Sequence, residues 1–245
     1  MVKNMLLCIM LNVLKNNRNP EVLAGVFLIV ASISISSSYL TKIEFISLFS
    51  SLSDDFEYIT ENIFILRLNA ILWIITSFLM ILVSASLLVA MKAHKEITAY
   101  ITAFFFMMTS FLFCMTAIKS FSIFEFLVYQ ENKILSPFEN ENIRAHILNL
   151  TGERSVIMRI SFAMAGSGML FVGFFGADTK RIPFIIRMLC FVGGILLPLA
   201  SIFFPKSILN EAGLLIFLFV FLILGLRIAF RGFIKRKKRK PLEKS

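Results

Sequence analysis

Apolar residues fall along this chain in long unbroken blocks separated by short polar segments, and the blocks have helical rather than strand length. Six of them, near 22–41, 64–91, 97–118, 156–177, 184–204 and 208–229, reach or approach the roughly 20 residues that a helix needs to cross a hydrocarbon core about 30 Å thick. The pattern predicts an all-α, polytopic membrane protein with six transmembrane helices. It divides the chain into an interfacial N-terminal segment over 1–19, a six-helix transmembrane domain over 20–232 and a polybasic tail over 233–245. The apolar run Met5 to Leu14 is too short to span, and no small-residue cleavage site follows it. It therefore reads as an interfacial helix rather than a removed signal.

The polar segments carry helix signals of their own. Pro20 suits the first turn of span 1, and Ser53-Asp54-Asp55 is a helix start that would let span 2 begin outside the bilayer. Span 3 is expected to continue past Ile118 as an amphipathic extension with Lys119 and Glu125. Ser136-Pro137-Phe138-Glu139 has capping-box spacing, with Ile143, Ile147 and Leu150 following on one face. This predicts two longer outer loops, the second with an interfacial helix lying on the bilayer surface or serving as a partner-docking face. Pro198 is expected to bend span 5, and the short connection from Pro205 to Asn210 implies a tight hairpin of spans 5 and 6.

Composition agrees and charge gives a direction. The chain is 58% hydrophobic with 28 phenylalanines and a mean hydropathy of +0.85, well above the about 45–50% apolar of soluble domains. The net charge of +10 is unevenly spread. One alternate set of connections, with both termini, holds seventeen Lys/Arg against four acids, and the other holds eight against eleven. The positive-inside rule then places both termini in the cytoplasm, for a multi-pass protein of the cytoplasmic membrane. Lys235, Arg236, Lys237, Lys238, Arg239 and Lys240 form a polybasic run expected to contact anionic phospholipid, at about 1 kcal/mol per charge. In a membrane protein this basicity does not call for nucleic acid. Cys8, Cys114 and Cys190 read as small hydrophobes. His94 and His146 lie in connections on opposite sides, so no metal site and no cofactor is expected. Asn149-Leu150-Thr151 is a glycosylation sequon in the outer loop.

Small residues gather in span 4. Ala163, Gly166, Ser167, Gly173 and Ala177 let helix backbones approach closely, and Ala163/Ser167 and Gly173/Ala177 are small-xxx-small pairs. Serines at 32, 34, 36, 37 and 38 mark span 1 as a packing seam or a polar conduit. Arg67 and Arg159 each follow an acid, Glu61 or Glu153, by six residues, which suggests a parallel repeat of the first two hairpins. An arginine in a span needs a partner or a route to water. Arg67, Asn69 and Arg159 are thus candidate ligand- or lipid-binding residues at an outer-leaflet anion site, with snorkelling to headgroups as the plain reading.

Two stretches carry a family likeness: Arg67-Leu-Asn-Ala-Ile-Leu leading into Ala85-Ser-Leu-Leu-Val-Ala-Met-Lys92, and Gly168-Met-Leu-Phe-Val-Gly173 followed by Arg181-Ile-Pro183. Over roughly residues 20–230 the chain resembles a family of prokaryotic six-helix membrane proteins known as a domain of unknown function. The resemblance implies an integral membrane protein of a bacterium or archaeon and supplies no activity. No catalytic motif stands in the sequence, and no Asp or Glu occupies the central third of any span. The expected function is therefore a non-catalytic accessory or scaffold subunit of a larger membrane assembly, with other membrane subunits as partners. A transporter or binding protein for a small molecule or lipid is the alternative.

Overall fold

The computed structural model describes residues 20–40, 63–92, 95–131, 137–179, 182–204 and 208–239. Six helices make up nearly all of them: α1 Pro20–Leu40, α2 Ile63–Lys92, α3 Glu96–Glu131, α4 Pro137–Thr179, α5 Phe184–Phe203 and α6 Ile208–Arg239. The segment 1–19, the helix start at Ser53 and His94 lie outside the described residues.

Each helix packs against its neighbours in sequence, and α6 returns to pack on α1. The result is a closed ring of antiparallel helices around one apolar core. Large side chains fill that core, among them Trp73, Phe106, Phe113, Phe162, Phe217 and Phe221. The outside is also apolar: Ile33, Phe78, Phe111, Phe174, Ile195 and Phe219 are exposed. Water would penalise such a surface, whereas lipid does not. Helices satisfy their own backbone groups, so all six can stand in hydrocarbon. All six are long and apolar enough to cross a membrane.

The fourth helix departs from the expected arrangement. It runs unbroken for 43 residues, about 64 Å at 1.5 Å per residue, so residues 137–155 are no separate helix lying on the bilayer surface. They continue the spanning rod. The reason lies in the inward stripe Ile147, Leu150, Arg154, Met158 and Ser161, all buried, which keeps helical period straight through the polar stretch. No proline interrupts it. The sequon at Asn149 therefore lies in helix rather than in the surface loop that glycosylation needs.

The third helix, 36 residues long, extends beside α4. Together with the first turn of α2 they enclose a second cluster, Leu66, Ile123, Leu127, Ile147 and Leu150. Cross-helix contacts show how far this extension rises. Lys119 pairs with Glu153 across α3 and α4. From Lys119 to Glu131 is about 18 Å of axis, and from Arg154 to Pro137 about 26 Å. On the other side of the ring, α5 ends at Phe203 and α6 begins at Ile208. Pro198 packs against Gly166, so α5 stops a turn or so beyond that level. Pro198 stands inside α5, which continues past it to Phe203.

Candidate functional site

A polar node is buried where the two clusters meet. Arg154, in α4, is 1% exposed and donates through Nη2 to Asn69 Oδ1 at 2.6 Å. Asn69, in α2, is also 1% exposed, and its Nδ2 donates to the backbone carbonyl of Ser38 in α1 at 2.9 Å. Ser38 Oγ donates to the Ser34 carbonyl at 2.8 Å and shares a 3.1 Å hydrogen bond with Thr76 Oγ1. Thr76 Oγ1 also lies 2.7 Å from Ser34 Oγ. Three helices are tied together by one chain of hydrogen bonds. Each carries its group on an inward face because the spacing allows it: 34 and 38 lie one turn apart, and 69 and 76 lie two turns apart on the same side of α2.

A buried guanidinium is expensive unless hydrogen bonds replace its hydration. Asn69 suits this role because its amide accepts from the guanidinium and donates to a carbonyl at once. Arg154, Asn69, Ser38 and Thr76 are closed to solvent, and the node holds no nucleophile with an adjacent base. Among the described residues no group of His, Cys, Asp or Glu could hold a metal ion. Its chemistry is that of a joint.

The three residues singled out from sequence are distributed differently. Asn69 points into the node. Arg67, two positions away on the same helix, is exposed, with its guanidinium carbon 5.5 Å from the centre of the Phe124 ring. Arg159 is half-buried on α4. Glu153 pairs with Lys119. Arg67 and Asn69 therefore face outward and inward respectively, and the structure brings Arg154 to Asn69. Arg154 escapes sequence reasoning because it stands among polar residues that read as loop. The signal is present in the i+3/i+4 stripe through Ile147, Leu150 and Met158.

Of the small residues in α4, Ala163, Gly166 and Gly173 are buried and Ser167 Oγ donates to the Ala163 carbonyl at 2.9 Å. A methyl at Gly166 would stand 2.5 Å from Pro198 Cδ, and one at Gly173 would stand 3.1 Å from Cys190 Cβ. The side chains of Ala177 and of residues 230–245, including Lys235 to Lys240, lie outside the described residues. An open groove of about 500 Å³ follows the outward face of α4, lined by Leu148, Asn149, Gly152, Glu153, Val156 and Ile157.

The closed ring, its apolar exterior and its sealed polar node define a multi-pass, all-helical membrane protein. Residues 23–232 match the family described as a domain of unknown function, DUF4386. With most of its length matched, the chain belongs to that family. No curated protein and no solved structure matches it.

Proposed function

We propose that this protein is a non-catalytic membrane scaffold or accessory subunit that presents the α3–α4 extension to a partner. The observation that carries this reading is the extension itself. Two spanning helices continue about 18 and 26 Å beyond the Lys119–Glu153 level around a separate apolar cluster. An element built as a continuation of spanning rods is stiff, because bending it would break helix hydrogen bonds and expose Ile123, Leu127 and Ile147. The groove beside Gly152 lies near its base. Following the charge asymmetry of the connections, the extension faces outward from a cytoplasmic membrane, with both termini inside. The polybasic tail holds the inner face to anionic lipid.

The test is photo-crosslinking in native membranes, with the reactive residue at Asn149 in the groove or at Phe104 on the lipid-facing side of α3. A discrete protein adduct from Asn149, absent from Phe104, together with a stoichiometric complex in mild detergent, is the expected result. A lone monodisperse chain with no adduct from Asn149 would sink the reading.

A further inference from the structure

Arg67 occupies a place on α2 that the scaffold role does not use. It stands in an outward stripe, with Phe64 one turn before it and Ile71, Ile74, Ile75 and Phe78 after it, all exposed hydrophobics. Along the axis it stands about 38 Å from the helix end at Lys92. That is more than the roughly 30 Å of a hydrocarbon core and less than the about 40–45 Å that includes both headgroup layers. With Lys92 at the inner headgroup layer, where the charge asymmetry of the connections puts it, Arg67 falls at the phosphate depth of the outer one.

Its side chain is also aimed away from the bilayer centre. Ser77 and Ser110 clasp each other, each hydroxyl donating to the other's carbonyl at 2.8 and 2.7 Å, and this sets the antiparallel register of α2 and α3. In that register Arg67 lies opposite the turn of Ser120, so reaching Phe124 carries the guanidinium one turn farther outward. At 5.5 Å from that ring's centre the guanidinium is within cation–π range, and the side chain is exposed. A planar edge of paired donors matches two phosphate oxygens better than an ammonium would.

We propose that Arg67 and Phe124 form a phospholipid site: the guanidinium, steadied on the ring, donates two parallel hydrogen bonds to a lipid phosphate, and an acyl chain lies along Ile71, Ile75 and Phe78. The site stands apart from the buried node and, although Phe124 belongs to the α3 extension, it does not use the groove on α4. Arg159, half-buried, takes no part.

Native mass spectrometry of the full chain in detergent, titrated with phosphatidylethanolamine, diacylglycerol or inorganic phosphate, tests it. A saturable first phosphatidylethanolamine adduct is expected. Arg67→Leu weakens it about fivefold, the equivalent of ~1 kcal/mol for one charge at a membrane surface. Phe124→Leu weakens it about two- to fivefold, Arg67→Lys falls between wild type and Arg67→Leu, and Arg159→Leu leaves it unchanged. Equal binding by wild type and Arg67→Leu at matched melting temperature would overturn the proposal. So would diacylglycerol binding as tightly as phospholipid, since the phosphate would then be unread. Displacement of the lipid by an equal concentration of inorganic phosphate would also overturn it, in favour of a free-anion site. Should Arg67→Leu not purify, unchanged binding by both Arg67→Lys and Phe124→Leu would overturn it equally.

Discussion

Between α1, α2 and α3 the helices meet through hydroxyls and amides, whereas between α4, α5 and α6, and where α6 closes on α1, they meet chiefly through glycine. The first half has the Ser34–Thr76 and Asn69–Ser38 bonds, the Ser77–Ser110 clasp and a bond from Ser84 Oγ to the Ala103 carbonyl at 2.8 Å. In the second half a methyl added at Gly194 would stand 2.7 Å from the Leu170 backbone nitrogen, and one at Gly25 would stand 2.5 Å from the Gly225 carbonyl. Ser32, which donates to the Leu218 carbonyl at 3.1 Å, is the hydroxyl exception on the closing seam. Lipid tails are as apolar as leucine, so helices in a membrane gain little from hydrophobicity alone and must associate by close packing or by hydrogen bonds. This ring uses one device in each half. Glycine contacts cannot yield without moving backbone, while a hydroxyl pair can be lost and the surrounding packing kept.

Substitution separates the two devices. The largest effect is expected from Gly194→Leu or Gly25→Val, where the added atoms meet backbone rather than the end of a flexible side chain. Overpacking typically costs about 1–3 kcal/mol and occasionally more, and here loss of monodisperse protein in size-exclusion chromatography is the expected readout. Wild-type behaviour of either variant would show that the glycine seam is looser than the backbone distances imply.

Next comes the node. Asn69→Leu removes an acceptor from a buried guanidinium and should cost about 3 kcal/mol, since a buried charged group that loses its partner costs more than a neutral one. Thermal unfolding in detergent measures it, and Arg154→Met added to Asn69→Leu should recover much of the loss, because apolar replacement of buried polar pairs is often neutral. A double variant as unstable as the single one would mean that the node does not join the three helices.

The smallest effects belong to the hydroxyl pairs and the exposed ion pair. Ser77→Ala and Ser110→Ala should each cost about 0.6 kcal/mol, the average for hydrogen bonds between membrane helices, and Lys119→Met should leave the melting temperature unchanged. A loss from Ser77→Ala as large as that from Gly194→Leu would erase the contrast between the halves.

Much of this architecture is legible in the chain. The apolar pattern puts span 1 at 22–41 and α1 is Pro20–Leu40; it puts span 5 at 184–204 and α5 is Phe184–Phe203. Gly166 and Gly173 stand out as small residues where backbones can approach. The continuity of α4 does not stand out in the same way. A polar stretch containing Gly152, Glu153 and Arg154 looks like a connection when each residue is weighed for its own solubility, and its helical stripe acquires meaning only once Arg154 has somewhere to go. Asn69 draws notice beside Arg67, yet two positions along a helix turn a side chain to a different face.

The sequence by itself determined that six apolar helices exist, where α1, α2 and α5 begin and end to within a few residues, and that the outer surfaces of the six suit lipid. Transfer between water and hydrocarbon is set by local composition, and a window of about 20 residues contains it. Only the tertiary structure decided that α6 closes on α1, that α3 and α4 rise together past the described ends of α2 and α5, and which arginine is buried. Those outcomes depend on partners brought from afar. Asn69 reaches Ser38 across 31 positions and Arg154 reaches Asn69 across 85, and the free energy of a buried polar group is fixed by whichever neighbours the packed ring delivers to it.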